Sequence, residues 1–137
     1  MRRKNITELR EWHLRVPGEA LSVPVNCSRI GDVFRIESIP LCYDVISYGD
    51  IFEADQEGNE LVLRRIVKRA NRRTYSFLLS ETVCESSQLS DPLSIVESVD
   101  GFWERFAVGL LLISMPAESA YDPTTAVTAL EAKVNEQ

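Results

Sequence analysis

Apolar and polar residues alternate along most of the first half of the chain. Trp12, Leu14 and Val16 fall on every second position and predict a strand over 10–16, stopped by Pro17-Gly18. Leu21, Val23 and Val25 repeat the pattern, and Pro24, which lacks an N–H, places that piece at a sheet edge. From Gly31 the alternation sharpens, with Phe34 and Ile36 facing inward and Arg35 and Glu37 outward until Pro40. A loop over 41–48 leads to Gly49-Asp50 and a strand over 51–54. The polar segment Asp55-Gln56-Glu57-Gly58-Asn59 has hairpin-loop chemistry before a return strand over 61–68. Ala70-Asn71-Arg72-Arg73 reads as a second turn before a strand over 74–79, which extends an antiparallel meander.

The last third changes period. Asp91-Pro92 is a helix-start signal, Leu93, Val96 and Val99 form an apolar stripe, and Gly101 suits the position after the helix. Residues 102–115 then read as one long strand, buried toward its end. Asp122-Pro123 repeats the start signal, and Val127, Leu130 and Val134 form the stripe of a final helix with Lys133 near its negative end. Strand, helix, strand and helix in that order suit a split β-α-β arrangement with helices on one face of a mainly antiparallel sheet. The expected class is therefore α+β. It is read as one domain over 1–137, mainly β over 1–80 and helix-strand-helix over 81–137.

Composition agrees with a globular chain: of 137 residues, 45% are apolar and 26% charged, enough for a core without staples. Cys27, Cys42 and Cys84 are odd in number and widely spaced, which argues against a disulfide framework or a zinc site and for reduced thiols in a cytoplasmic protein. Met1-Arg2-Arg3-Lys4-Asn5 resembles a signal-peptide start, but Glu8, Arg10 and Glu11 follow where an apolar stretch is required. The longest apolar run, 106–115, is half the length of about 20 residues that a bilayer needs, so no membrane span is expected.

Candidate chemistry is sparse. His13, the only histidine, lies between Trp12 and Leu14 and faces away from their side of the strand, which rules out metal centres built on histidine clusters. Asp44, Asp50, Glu53 and Asp55 are close in sequence. Asp50 and Asp55 flank a strand, however, and serve turns more simply than a catalytic pair. The glycines are scattered, and no phosphate-loop pattern occurs. No cofactor, metal ligand set or catalytic residue is expected.

The stretch Gly31-Asp32-Val33-Phe34-Arg35-Ile36-Glu37-Ser38-Ile39-Pro40, then Tyr48-Gly49-Asp50-Ile51-Phe52-Glu53-Ala54, resembles a family of small bacterial proteins. That family is classed as a domain of unknown function, series number forty-two sixty-five. A glycine-led strand ending at Ile-Pro, a Gly-Asp opening and a Thr-containing strand, here Arg73-Thr74-Tyr75-Ser76-Phe77, carry the likeness. The family often has Ser-Gly-His before the Thr strand, where Ala70-Asn71-Arg72 stands here, so no role of that histidine transfers. The resemblance implies a bacterial cytoplasmic protein and supplies no activity.

Charge separates two functional expectations. Residues 1–80 carry a balance of +2 and residues 81–137 one of −8. An acidic final third suits a protein partner with a basic surface, such as a toxic enzyme neutralised by an immunity or antitoxin-like protein. Glu81, Glu85, Asp91, Glu97, Asp100 and Glu104 are the candidate contact residues. The alternative is a nucleic-acid-associated regulator gripping a backbone through Arg65, Lys68, Arg69, Arg72 and Arg73. Strand alternation divides these cations between two faces unless a bulge intervenes.

Overall fold

The computed structural model describes residues 9–40, 45–106 and 109–135, so the N-terminal segment, Cys42 and Asp44 lie outside the described residues. The chain divides into two compact units, residues 1–71 and 72–137. Its class is α+β, mostly sheet, as the sequence patterning predicts.

The first unit is a closed five-stranded barrel of β1 (Arg10–Arg15), β2 (Val23–Ile30), β3 (Val33–Ile36), β4 (Ile51–Glu57) and β5 (Glu60–Lys68). Consecutive strands pair antiparallel, so the first and fifth run the same way, and the barrel closes through a parallel pairing of Leu14 with Leu61. Gly31-Asp32 and Gly58-Asn59 make the two-residue turns between β2 and β3 and between β4 and β5. The latter is shorter than the five-residue loop expected. Inward positions form one core around Trp12, Leu14, Phe34, Ile36, Phe52 and Leu61. Phe34 stacks on its cross-strand partner Phe52 with ring centroids 5.6 Å apart.

Pro24 does not mark an edge. β2 is paired on both sides, to β1 and β3, and the ladder to β3 begins only at Cys27, beyond Pro24. Opposite Pro24, His13 sends its own N–H away from β2, to the carbonyl of Asn59 at 3.0 Å. The proline therefore interrupts no ladder bond.

The second unit holds β6 (Arg72–Leu78), α1 (Glu81–Cys84), a 3-10 turn at Ser87–Leu89, α2 (Ser90–Ser98), β7 (Phe102–Phe106), β8 (Leu110–Pro116) and α3 (Pro123–Asn135). Its sheet order is β6-β8-β7, with β8 antiparallel to both neighbours. The helices thus connect two parallel strands that flank a third, the split β-α-β arrangement. The strand over 74–79, expected to continue the meander, pairs with β8 instead. Leu111, Ile113 and Met115 of β8 pack with Val83, Leu89, Leu93 and Val96 and with Val127, Leu130 and Val134 of α3.

One helix start and one strand differ from the expectation. α2 begins at Ser90, so Asp91 lies inside its first turn and is not its cap, while Asp122 does cap α3, its Oδ1 accepting from the Thr124 N–H at 2.9 Å. The expected long strand over 102–115 is two antiparallel strands, Phe106 facing Leu110. Gly109 sits there at φ +86°, its carbonyl accepts from the Leu79 N–H at 2.8 Å, and a Cβ on it would lie 2.3 Å from the Leu79 oxygen. That close approach requires glycine and ends the strand.

Candidate partner-binding site

The partners of the five candidate cations decide which of them remain free. Register shifts in the pairing of β4 with β5 insert Arg64 and Val67 as extra residues, so Ile66 packs toward the barrel core while Arg64 and Arg65 are both exposed. The bulge that the alternation argument left open does gather cations outside. They are nonetheless occupied. Arg65 donates through Nε and Nη2 to the two oxygens of Glu53 at 3.0 and 3.2 Å, and Arg64 lies 3.8 Å from Asp55. Arg69 donates to the Val45 carbonyl at 2.7 Å and lies 3.6 Å from Asp50. Arg72 donates to Ser114 Oγ at 2.7 Å, to the Ser114 carbonyl at 2.9 Å and to the Asp100 carbonyl at 2.7 Å. Only Lys68 and Arg73 of the five have no side-chain hydrogen bond or ion pair among the described residues.

Among the described residues, the clustered carboxylates Asp50, Glu53 and Asp55 are spent on the same pairs. Asp50 is buried, accepting from the backbone N–H of Ser47 at 2.9 Å, the turn role its position suggested, and also from that of Ala70 at 2.7 Å. Glu53 and Asp55 face arginines. His13 is half-buried on the outer side of β1. Cys27 is buried in the barrel, and burial first, then the nearby Glu37 charge, pushes its thiol up to about 12.

The second unit behaves differently. Residues 1–71 carry no net formal charge, so the whole −6 resides in residues 72–137. Glu81, Glu85, Asp91, Glu97 and Asp100 are exposed and Glu104 half-exposed. Glu81, Glu85, Asp91 and Asp100 have no carboxylate partner among the described residues, whereas Glu97 accepts the indole N–H of Trp103 at 2.9 Å. Glu85 caps the C-terminal end of α1, Glu97 lies in the last turn of α2, and Asp100 follows α2 in the left-handed region at φ 65°. Neither helix has a cation in its last turn. Helix C-terminal ends carry exposed carbonyls and favour cations, and the strands supply them here: Arg105 donates to the Cys84 carbonyl at the end of α1 and Arg72 to the Asp100 carbonyl past α2.

Two adjoining clefts share Arg105. The first, of about 500 Å³, is lined by Glu81, Glu85, Cys84, Arg105 and Phe106. The second, of about 380 Å³, has Leu89, Leu93 and Trp103 for its apolar walls, with several serines, Glu97 and Arg105 around them. Arg105 donates to the Cys84 carbonyl at 3.0 Å, which fixes the divider between the clefts. Beside the first cleft the cross-strand partners Leu78, Leu110 and Phe106 make an apolar row over all three strands, with Leu78 76% and Phe106 38% exposed. Glu104 shares the face of Phe106 on β7.

Glu81 and Glu85 thus line the first cleft and Glu97 the second, Glu104 lines neither, and Asp91 and Asp100 stand at the start and just past the end of α2. The sequence reading missed Trp103, Arg105 and the row of Leu78, Leu110 and Phe106. Leu78 carried a signal: it is an apolar residue out of phase with the inward positions Tyr75 and Phe77.

No curated protein matches the chain. A solved structure described as "Novel crystal structure of a hypothetical protein from Neisseria gonorrhoeae" is similar to it at a TM-score of 0.59 and 17% identity, over 92% of this chain and 89% of that one. That likeness concerns the fold alone. The model of a family described as Domain of unknown function (DUF4265) matches residues 23–134, and the chain belongs to that family.

Proposed function

We propose that this chain is a non-catalytic bacterial protein, acting in the cytoplasm, that binds a basic protein through the acidic end of its second unit. A toxic enzyme neutralised in the manner of an immunity protein or antitoxin is the partner that suits this chemistry. The observation that carries the reading is that Glu81 and Glu85, whose carboxylates have no partner among the described residues, lie beside the exposed apolar row of Leu78, Leu110 and Phe106. Unpaired carboxylates beside an exposed apolar row also combine the two components of a docking surface: long-range attraction and a desolvated centre.

Nucleic-acid binding draws less support, since Arg65, Arg69 and Arg72 are engaged within the fold and the second unit repels phosphate. Affinity capture with the full chain from its native cells tests the proposal. A stoichiometric basic partner is expected at low and moderate salt, lost with the double variant Glu81→Lys/Glu85→Lys. Absence of any stoichiometric protein partner under both salt conditions refutes it.

A further inference from the structure

We infer that the two clefts flanking Arg105 receive an extended segment of the partner, in which an apolar side chain and a cationic side chain project from the same face. The inference rests on the binding role proposed above and specifies the chemistry of its occupant. The second cleft offers the walls Leu89, Leu93 and Trp103, a site for an aliphatic or aromatic side chain. The first offers Glu81 and Glu85, whose carboxylates have no partner among the described residues, beside the exposed ring of Phe106. A cation on the segment completes that cleft, and its alkyl stem lies against Phe106.

Arg105 sets the order. Its guanidinium donates to the Cys84 carbonyl between the clefts, so a second cation directly over it is repelled. The segment must therefore alternate in chemistry along its length: an apolar group toward Trp103, a neutral stretch over Arg105, and a cation toward Glu81 and Glu85. In an extended chain, positions i and i+2 share a face, which suits such spacing. A second copy of this chain is a poor occupant, because its own acidic end would face Glu81, Glu85 and Glu104.

The test uses the full-length protein and short capped, fluorescein-labelled peptides of repeated Leu-Ser-Arg-Ser, with controls in which Leu becomes Ser or Arg becomes Glu. Anisotropy reads affinity. Emission from Trp103, isolated by Trp12→Phe, reads occupation of the second cleft. The Leu-Ser-Arg-Ser peptide is expected to bind and shift the Trp103 emission, and both controls to bind about tenfold more weakly or worse, the scale of one lost anchoring contact. Phe106→Ser and Glu81→Lys/Glu85→Lys, all at surface positions, are expected to weaken it by a similar factor. No binding, equal binding of the Glu control, or binding indifferent to these variants overturns the inference. If capture of the whole partner is sensitive to Glu81→Lys/Glu85→Lys while the peptides are not, the docking role stands and the extended-segment mode falls. If neither responds, both fall.

Discussion

Asp50 shows how a single residue can be legible in kind and not in extent. Its place after Gly49 announces a turn, and it does accept from the Ser47 N–H. Its second oxygen reaches the Ala70 N–H, twenty positions along, a contact local patterning cannot reveal. Asp50→Ala leaves two buried donors unmet and is expected to cost about 3 kcal/mol in urea unfolding. Asp50→Asn, which keeps one acceptor, should cost roughly half of that. Cys27 gives a pH-dependent counterpart. Its thiol is held at about 12 when folded against 9.0 when free, so between those values the unfolded chain releases a proton that the folded chain keeps. Stability must then fall as pH rises through that window, by up to roughly 1.4 kcal/mol per pH unit from this group. Below 9.0 both states hold the proton, and the effect vanishes. Urea curves at pH values either side of 9.0 should show a steeper decline for the native sequence than for Cys27→Ala. Parallel curves would refute the assignment.

Among the elements, periodicity located most strands and helices but could not assign their partners. Alternation over β1 and β3 is strong because one face of each lines the barrel core, whereas the bulges at Arg64 and Val67 break it in β5. Closure by β1 against β5 is invisible along the chain, since it depends on strand number and twist rather than on any local run. The continuous apolar stretch at 106–115 concealed a reversal, because a buried strand and a buried hairpin give the same unbroken pattern when no polar turn separates them. The end of α2 was legible as Gly101, but the left-handed residue is Asp100. Gly101 instead donates its N–H to the Val96 carbonyl at 2.7 Å, completing a Schellman closure. A Cβ on Gly101 would meet a Val96 methyl at 2.5 Å, the Val96 oxygen at 2.7 Å and Met115 sulfur at 2.7 Å. Gly101→Ala is therefore expected to destabilise by about 2 kcal/mol or more, with the loss visible in both urea and thermal unfolding. At α1 the sign reverses: Glu85→Gln removes a charge from the wrong end of a helix and a repulsion with Glu81 four residues away. It should stabilise the free protein by about 0.3 kcal/mol while weakening partner capture.

At the scale of the whole molecule, the decisive asymmetry is electrostatic, and composition alone exposed it only in part. A balance of −8 over 81–137 was countable, but whether those charges were neutralised in place was not. The structure places the ion pairs of Arg15, Arg35, Arg64, Arg65 and Arg69 all in the first unit, and leaves Glu81 and Glu85 beside the apolar row without partners among the described residues. Carboxylates at a solvated rim act over about 8 Å at physiological ionic strength, and so act mainly on the approach of a partner. Leu78 and Phe106, with Leu110, act only once water has left the contact, and so govern escape. The two groups should separate kinetically in surface-plasmon measurements with the captured partner. Glu81→Gln/Glu85→Gln should slow association several-fold and flatten its dependence on salt, with a smaller acceleration of dissociation from the seated cation that loses its partners. Phe106→Ser should instead speed dissociation by about tenfold at every salt concentration. If the acidic variants accelerate dissociation and leave association untouched, the carboxylates form a buried contact, and long-range steering by the second unit is not how this protein finds its partner.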